Sequence, residues 1–452
     1  MSVLSTAGYE IRRLLRDRAL PTLLVLLLGL GAYAAWTGRA WVDQRETAIG
    51  LIKLEEQQTQ DRSRAFVGKA PSVLPRVQPV LPPAAMAPLS IGQADAYPYT
   101  ADVVALGDPT QLLKHVWADI GNPAARAAGR FDLAFVIVFL LPLVVLVATY
   151  DLWSRERERG IAALVLSQPV AVAQLVAVKA LARGVVVLLP ALAIIVAVAA
   201  WSGARSAAGL FMLALTVLAY GGFWLALALL IGCITRRTTE AAIVAGALWL
   251  LIVVMAPSMT LAAVNLIAPP PSQMRFATEV KAKLSDIVAR QQREHRAQPV
   301  SPRSPPAVIP DTVRQAYTDR VTADRELAPL MASQAQAEAA RRRVLDRMRL
   351  LLPSVVAQDA LDRIAGSDAD RALAFQQQVQ AFWQARRLLH QTYLDRDAPQ
   401  TLDEYEALPR FQFHETAGVA QHGVLVDLAA LIIATLIVLV TAGALRGRLE
   451  TP

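Results

Sequence analysis

A single cysteine, Cys233, stands among 452 residues, inside an apolar run. One thiol can build neither a disulfide framework nor a thiolate metal site. Charge is also scarce. Asp, Glu, Lys and Arg make up 18% of the chain, against roughly 25% in a soluble domain. Apolar residues make up 55% and the mean hydropathy is positive. These proportions place much of the chain in lipid and override a soluble multidomain reading of its length. No Gly-x-x-x-x-Gly-Lys-Ser/Thr phosphate loop occurs, since Gly68-Lys69 lacks its partner glycine. No Gly-x-Ser-x-Gly or Ser-His-Asp pattern supports hydrolysis. No catalytic residue, and no cofactor of the chain's own, is therefore expected.

The five histidines, His115, His295, His390, His414 and His422, are scattered, with no His-x-x-x-His pair on one helix. No metal site is expected; His414 and His422 form the pair to test. Met255 and Met259 stand four apart in an apolar run and read as packing.

The net charge of +8 first suggests a nucleic-acid partner, but no nucleic-acid motif accompanies it. Its placement gives a different reading. Arg12, Arg13, Arg16 and Arg18 precede the first apolar run, Leu20 to Trp36. Five cations fall in 151–183, two in 234–240 and two at the C-terminus, while the short loop 202–208 on the opposite side carries only Arg205. This is the positive-inside pattern of a membrane protein with both termini in the cytoplasm. The first run lacks a small-residue cleavage site and reads as a retained span.

The expected fold is an all-α membrane protein with six transmembrane helices and a large, mostly helical extracytoplasmic domain. Residues 1–19 form an interfacial amphipathic helix. Leu4, Ala7, Ile11, Leu14 and Leu15 take one face; Glu10, Arg12, Arg13 and Arg16 take the other. The spans are 20–36, 133–150, 170–201, 209–234, 241–268 and 424–444, with a cytoplasmic tail at 445–452. Segments 37–132 and 269–422 face outward. Helical character persists beyond Trp36 to Phe66, so the first span is expected to continue outward as a rod. Pro71 to Pro88 holds six prolines and predicts extended chain. Helices are expected over 275–295, 311–352 and 368–397. Pro142, inside the second span, predicts a kink rather than a break, because a neighbouring helix can satisfy the freed carbonyl. Lys179 and Arg183 lie in the first half of the third span and are expected to snorkel to the cytoplasmic face. Asp132 and Asp427 sit near outer membrane edges and are candidates for a substrate path.

Between the second and third spans lies the most densely charged block, residues 151–169. It contains Asp151, then Ser154-Arg-Glu-Arg-Glu-Arg-Gly160, then Leu164, Leu166-Ser-Gln-Pro169, with Lys179 following. A short helix of alternating Arg and Glu can dock in a groove by charge complementarity, and Gly160 allows a sharp exit. This block resembles the first cytoplasmic loop of type-2 ABC exporter permeases, and Glu10 to Arg18 resembles their interfacial connecting helix. Pro353 through Ala365-Gly-Ser-Asp368, with Phe375 and Trp383, is similar to the insert of a subgroup tied to multicopper-enzyme and nitrous-oxide-reductase maturation.

The resemblance implies a bacterial inner-membrane permease whose large domain is periplasmic. It implies two cytoplasmic ATPase chains carrying ATP and Mg, and a second permease copy or a sister permease. It implies coupling through Asp151, Ser154, Arg155, Glu156, Arg157, Glu158, Arg159, Gly160 and Pro169. The other reading open to the sequence is a membrane-anchored scaffold that docks a periplasmic partner. A lipid-exposed lateral opening between the spans would favour transport; a sealed interface with no cavity would favour the scaffold.

Overall fold

The computed structural model describes residues 3–16, 18–68, 74–105, 107, 131–167, 171–297, 309–396, 398, 400–415 and 418–449. The described residues hold helices and two isolated antiparallel bridges, with no strand. Six helices are long and apolar enough to cross a membrane.

Helix α1, Val3–Arg16, meets α2, Ala19–Arg64, at a short break. The α2 helix is the expected rod: span 1 and its outward extension form one 46-residue helix. Span 2 is α3, made of Leu133–Phe135, a π-helical turn at Val136–Leu140, and Leu141–Thr149. Two short helices follow, α4 (Ser154–Glu158) and α5 (Ile161–Leu166). Spans 3 and 4 are α6 (Val172–Trp201) and α7 (Ala207–Ile234). Span 5 is α8, Thr238–Trp249, with a second π-helical turn at Leu250–Met255 and then Ala256–Ile267. Outside lie α9 (Gln273–Ala297), α10 (Asp311–Arg349), α11 (Pro353–Ala365), α12 (Ala369–Arg396) and α13 (Leu402–Glu406). Span 6 is α14, Val419–Ala444.

Pro142 and Pro257 explain the two widened turns. Each follows a π segment, and each lacks the N–H that would continue the helix ladder. The carbonyl of Val138, four residues before Pro142, accepts instead from Tyr220 Oη of span 4 at 3.0 Å. The Phe139 carbonyl accepts from Trp249 Nε1 of span 5 at 3.1 Å. In span 5 the Ile252 carbonyl, five residues before Pro257, accepts from Ser354 Oγ at 2.8 Å. In lipid an orphan carbonyl costs several kcal/mol, so these side chains tie spans 2, 4 and 5 and α11 together.

Spans 2 and 4 form the centre and are mostly buried, while span 5 is mostly exposed. Tyr220, Phe223 and Trp224 stack edge to face within span 4 and fill this core. A second core joins the segments 37–132 and 269–422. Val77, Ala101 and Val103 pack with Phe375, Val379 and Trp383, flanked by Phe411 and Phe413. The bridges Val77–Val103 and Val80–Thr100 pair the proline-rich stretch with residues 100–103.

One element within 269–422 departs from a purely external reading. Helix α11 packs against α14 and α7 and touches the π turns of α3 and α8. Its Val356, Ala357, Leu361 and Ala365 are buried in the same core as the spans. Arg341, near the end of α10, bonds Asn265 and the Ala268 carbonyl at the outer end of span 5. Ser354 bonds Ile252, near the middle of that span. The stretch 341–365 therefore descends beside span 5, turns, and returns between spans 4 and 6.

Candidate coupling elbow and outer cavity

The charged block becomes an elbow of two short helices. Gly160 joins them at φ +72°, with open space where a Cβ would stand. The positive φ needs glycine; the backbone turns there without a steric partner.

Most of the elbow's charges point inward. Asp151 is buried between two arginines, Arg155 Nε at 2.7 Å and Arg183 Nη1 at 2.5 Å. Arg183 also faces Glu10 Oε2 at 3.3 Å and donates to the Ala148 carbonyl at 3.2 Å. Glu156 pairs with Lys179. Arg157 Nη1 donates to the Thr235 carbonyl at the end of span 4, 2.7 Å away, and Nη2 donates to the Arg448 carbonyl. Glu158 accepts from Thr238 Oγ1 and N at the start of span 5. Ser154 is buried. The elbow is thus bonded to spans 3, 4 and 5 and the C-terminal turn, and Arg183 of span 3 links it onward to α1.

Two expectations need correction. Lys179 and Arg183 do not reach into water; they are 6% and 4% exposed. Three carboxylates, Glu156, Asp151 and Glu10, converge on them, and paired charge is the state that burial tolerates. Glu10 does not join Arg12 and Arg16 on the exposed face of α1. It is 1% exposed and turned toward span 3, while Arg12 and Arg16 are exposed. The Arg13 side chain, Pro169 and His115 lie outside the described residues.

What the elbow presents outward is short. Glu158, Arg159 and Gly160 are exposed. So are Ile161 and Leu164 of α5, at 42% and 68%. This small patch joins Arg159 and the exposed Glu158 to two large apolar side chains, while Asp151, Arg155, Glu156 and Arg157 are bonded inward. Sequence periodicity over a six-residue helix is too short to separate Leu164 from the buried Ala162.

On the opposite side, Asp132 caps span 2 through Phe135 N at 2.9 Å and holds Ile91 N at 2.9 Å. Asp427 is fully buried in span 6, facing Arg363 at 3.4 Å and Arg349 at 3.7 Å. Neither lines the main cavity. That cavity, about 320 Å³, lies at the outer ends of spans 4 and 6. Met86, Gly209, Met212, Phe413 and Val424 give it apolar walls, and Arg363, Arg371 and Glu415 give it polar ones. Arg363 connects the two features: its Nε faces Asp427 and its Nη1 donates to Asp370 at 2.6 Å. Arg363 carries no separate signal in the sequence beyond the apolar stripe of α11, which Asp359, Asp362 and Arg363 flank.

Beside the cavity, Asp362 is buried and accepts from Ser90 Oγ at 2.6 Å and Gln358 Nε2 at 2.8 Å. Burial pushes its carboxyl up to about 7, although both hydrogen bonds act to lower it. Among the described residues no group of three His, Cys, Asp or Glu is arranged around a metal.

Six apolar spans with bulged turns bound by neighbouring side chains, and a polar elbow tied to three of them, define a multi-pass α-helical membrane protein. The chain belongs to the ABC-2 family: the model described as ABC-2 family transporter protein matches residues 4–446. It is thus the membrane component of an ABC transporter, in a family whose members are not themselves ATPases, generally work with cytoplasmic ABC ATPases and often dimerise. No curated protein matches the chain.

Proposed function

We propose that this chain is an export permease that receives force from two separate ATPase chains at the elbow 154–167. One observation carries this reading. The elbow shows Arg159, Ile161 and Leu164 to an outside chain, and behind this patch Glu156, Arg157 and Glu158 are bonded to spans 3, 4 and 5 in turn. A displacement at Ile161 and Leu164 passes through Lys179 to span 3, through Arg157 to span 4 and through Glu158 to span 5. Interfaces of this kind fix register by charge and draw affinity from a few apolar anchors.

In this reading the ATPases hold the ATP and Mg, the termini and elbow face the cytoplasm of a bacterial inner membrane, and a second copy or a sister permease completes the assembly. The outer helices face the periplasm. The outer cavity supports transport rather than a sealed docking scaffold, because a concave, mostly apolar space with a few polar groups is the usual form of a ligand site. The insert at 353–383 supports placement with the maturation permeases named above. Phe375 and Trp383 do not stand free in it; they form the outer core with the proline-rich segment.

The test is Leu164→Glu, alone and with Arg159→Glu, in membranes that contain the cognate ATPases. Insertion and folding are expected to stay normal, while ATPase co-purification and permease-stimulated hydrolysis fall at least tenfold. Wild-type values for both would remove the elbow from the mechanism.

A further inference from the structure

The end of α10 carries Arg341, Arg342, Arg343, Arg347 and Arg349 within nine residues, on the outward side, where the topology rule gives cations no advantage. Three of these are accounted for. Arg341 caps the outer end of span 5 through Asn265 and Ala268. Arg349 pairs with Asp359 and faces Asp427. Arg342 is half-buried, near Tyr97. Arg343 and Arg347 remain. Both are exposed, and neither has a carboxylate partner among the described residues. Four residues apart, they share one face of the helix. The same stripe continues to Leu350, 38% exposed, and Leu351, 74% exposed.

The depth of this stripe follows from its ties to span 5. Arg341 is level with the span's outer end and Ser354 with Ile252. The 30 residues of span 5 extend about 45 Å at ~1.5 Å per residue, against a hydrocarbon core of ~30 Å. The outer end of span 5 therefore stands among headgroups. Arg343 and Arg347 lie about 3 and 9 Å further in along α10, at the headgroup boundary, and Leu350 and Leu351 lie deeper, in the acyl region. Two exposed leucines at that depth have lipid as their natural surroundings, and two arginines directly above them suit a phosphate.

We propose that Arg343 and Arg347 hold the phosphate of an anionic phospholipid of the outer leaflet, with an acyl chain against Leu350 and Leu351. The bound lipid acts as a wedge beside the re-entrant stretch 341–365 and sets its depth against span 5.

The experiment uses the full chain in nanodiscs, with Cys233→Ala to leave no native thiol and Leu351→Cys to carry a fluorophore. Quenching is compared between brominated phosphatidylglycerol and brominated phosphatidylcholine at equal mole fraction. The expected result is severalfold stronger quenching by the anionic lipid. Arg343→Gln with Arg347→Gln reduces it to the zwitterionic level, and Lys at both positions restores most of it. Equal quenching by the two lipids would overturn the proposal. So would relief of quenching by soluble glycerol phosphate, which would assign the arginines to a free phosphate. So would an unquenched label accompanied by a disulfide between two copies of the unlabelled Leu351→Cys protein, which would make this face a contact between copies.

Discussion

Arg183 Nη1 lies 2.5 Å from Asp151 Oδ1, joining span 3 to the C-terminal end of span 2. Both side chains are more than nine-tenths buried. Removing one partner of such a pair leaves an uncompensated buried charge, at a cost of about 3–5 kcal/mol. Arg183→Gln takes away the one cation that Asp151 and Glu10 share, leaving Asp151 with Arg155 alone, and is expected to destabilise at that level. Asp151→Asn leaves Arg183 with Glu10 and is expected to cost less. Thermal unfolding of the detergent-solubilised protein checks the order, and equal losses would contradict it.

Tyr220 and Pro142 act as a unit. Tyr220→Phe leaves the Val138 carbonyl orphaned in the membrane core and is expected to cost about 1–3 kcal/mol. Pro142→Ala supplies the missing N–H to the helix. In that background the Tyr220→Phe cost is expected to shrink to within about 0.5 kcal/mol, as coupled sites require. A double-mutant cycle read by unfolding midpoints measures the coupling.

Asp362 gives stability a pH dependence of defined sign. Its carboxyl titrates at about 7 in the folded protein, above its ordinary value near 3.9. Between those two values the unfolded chain has released the proton and the folded one keeps it. Stability is therefore lost as pH rises through this window and is level above it. Asp362→Asn retains an acceptor for Ser90 and Gln358 and removes the titration. The difference in melting temperature between variant and wild type is expected to widen from pH 4.5 to pH 7 in the variant's favour.

Arg157 and Arg159 should behave differently despite standing two residues apart. Arg157→Gln loses bonds to the Thr235 and Arg448 carbonyls and is expected to lower stability by about 1–3 kcal/mol. Arg159→Gln removes an exposed charge and is expected to stay within ±0.5 kcal/mol. Unfolding midpoints decide this without any partner chain.

Gly38 lies where α2 passes the proline-rich segment. A Cβ there would overlap the Pro88 carbonyl oxygen, a backbone atom that cannot rotate away. Gly38→Ala is expected to cost about 1–3 kcal/mol as overpacking and to raise protease sensitivity in 74–105. Unchanged cleavage would show that the segment yields freely.

The spans were legible because lipid demands long uncharged runs, and the α2 rod because no proline interrupts Gly38 to Phe66. Pro142 was legible for the same kind of reason: a missing N–H leaves a carbonyl that membrane cannot satisfy. That the donor is Tyr220 depends on how spans 2 and 4 sit together, which periodicity does not carry. Glu10 shows the opposite case. Its place among charges suggested a solvated face, and only the approach of Arg183 from another helix turns it inward. Helix α11 reads as part of an external insert because Asp359, Asp362, Arg363 and Asp368 offset its apolar stripe. Those charges are matched one by one by Arg349, Ser90, Asp427 and backbone N–H groups brought from elsewhere in the chain.

Helix α2 reaches from the interfacial helix to its contact with Glu406 through Arg64. From Trp36 to Arg64 it extends about 42 Å beyond the first span. A stiff mast of that length converts small rotations at its foot into large sweeps at its top. Ten degrees of lean at the membrane carries the far end about 7 Å sideways, enough to shift Tyr405, which donates its hydroxyl to the Gln60 carbonyl, and the chain attached to it.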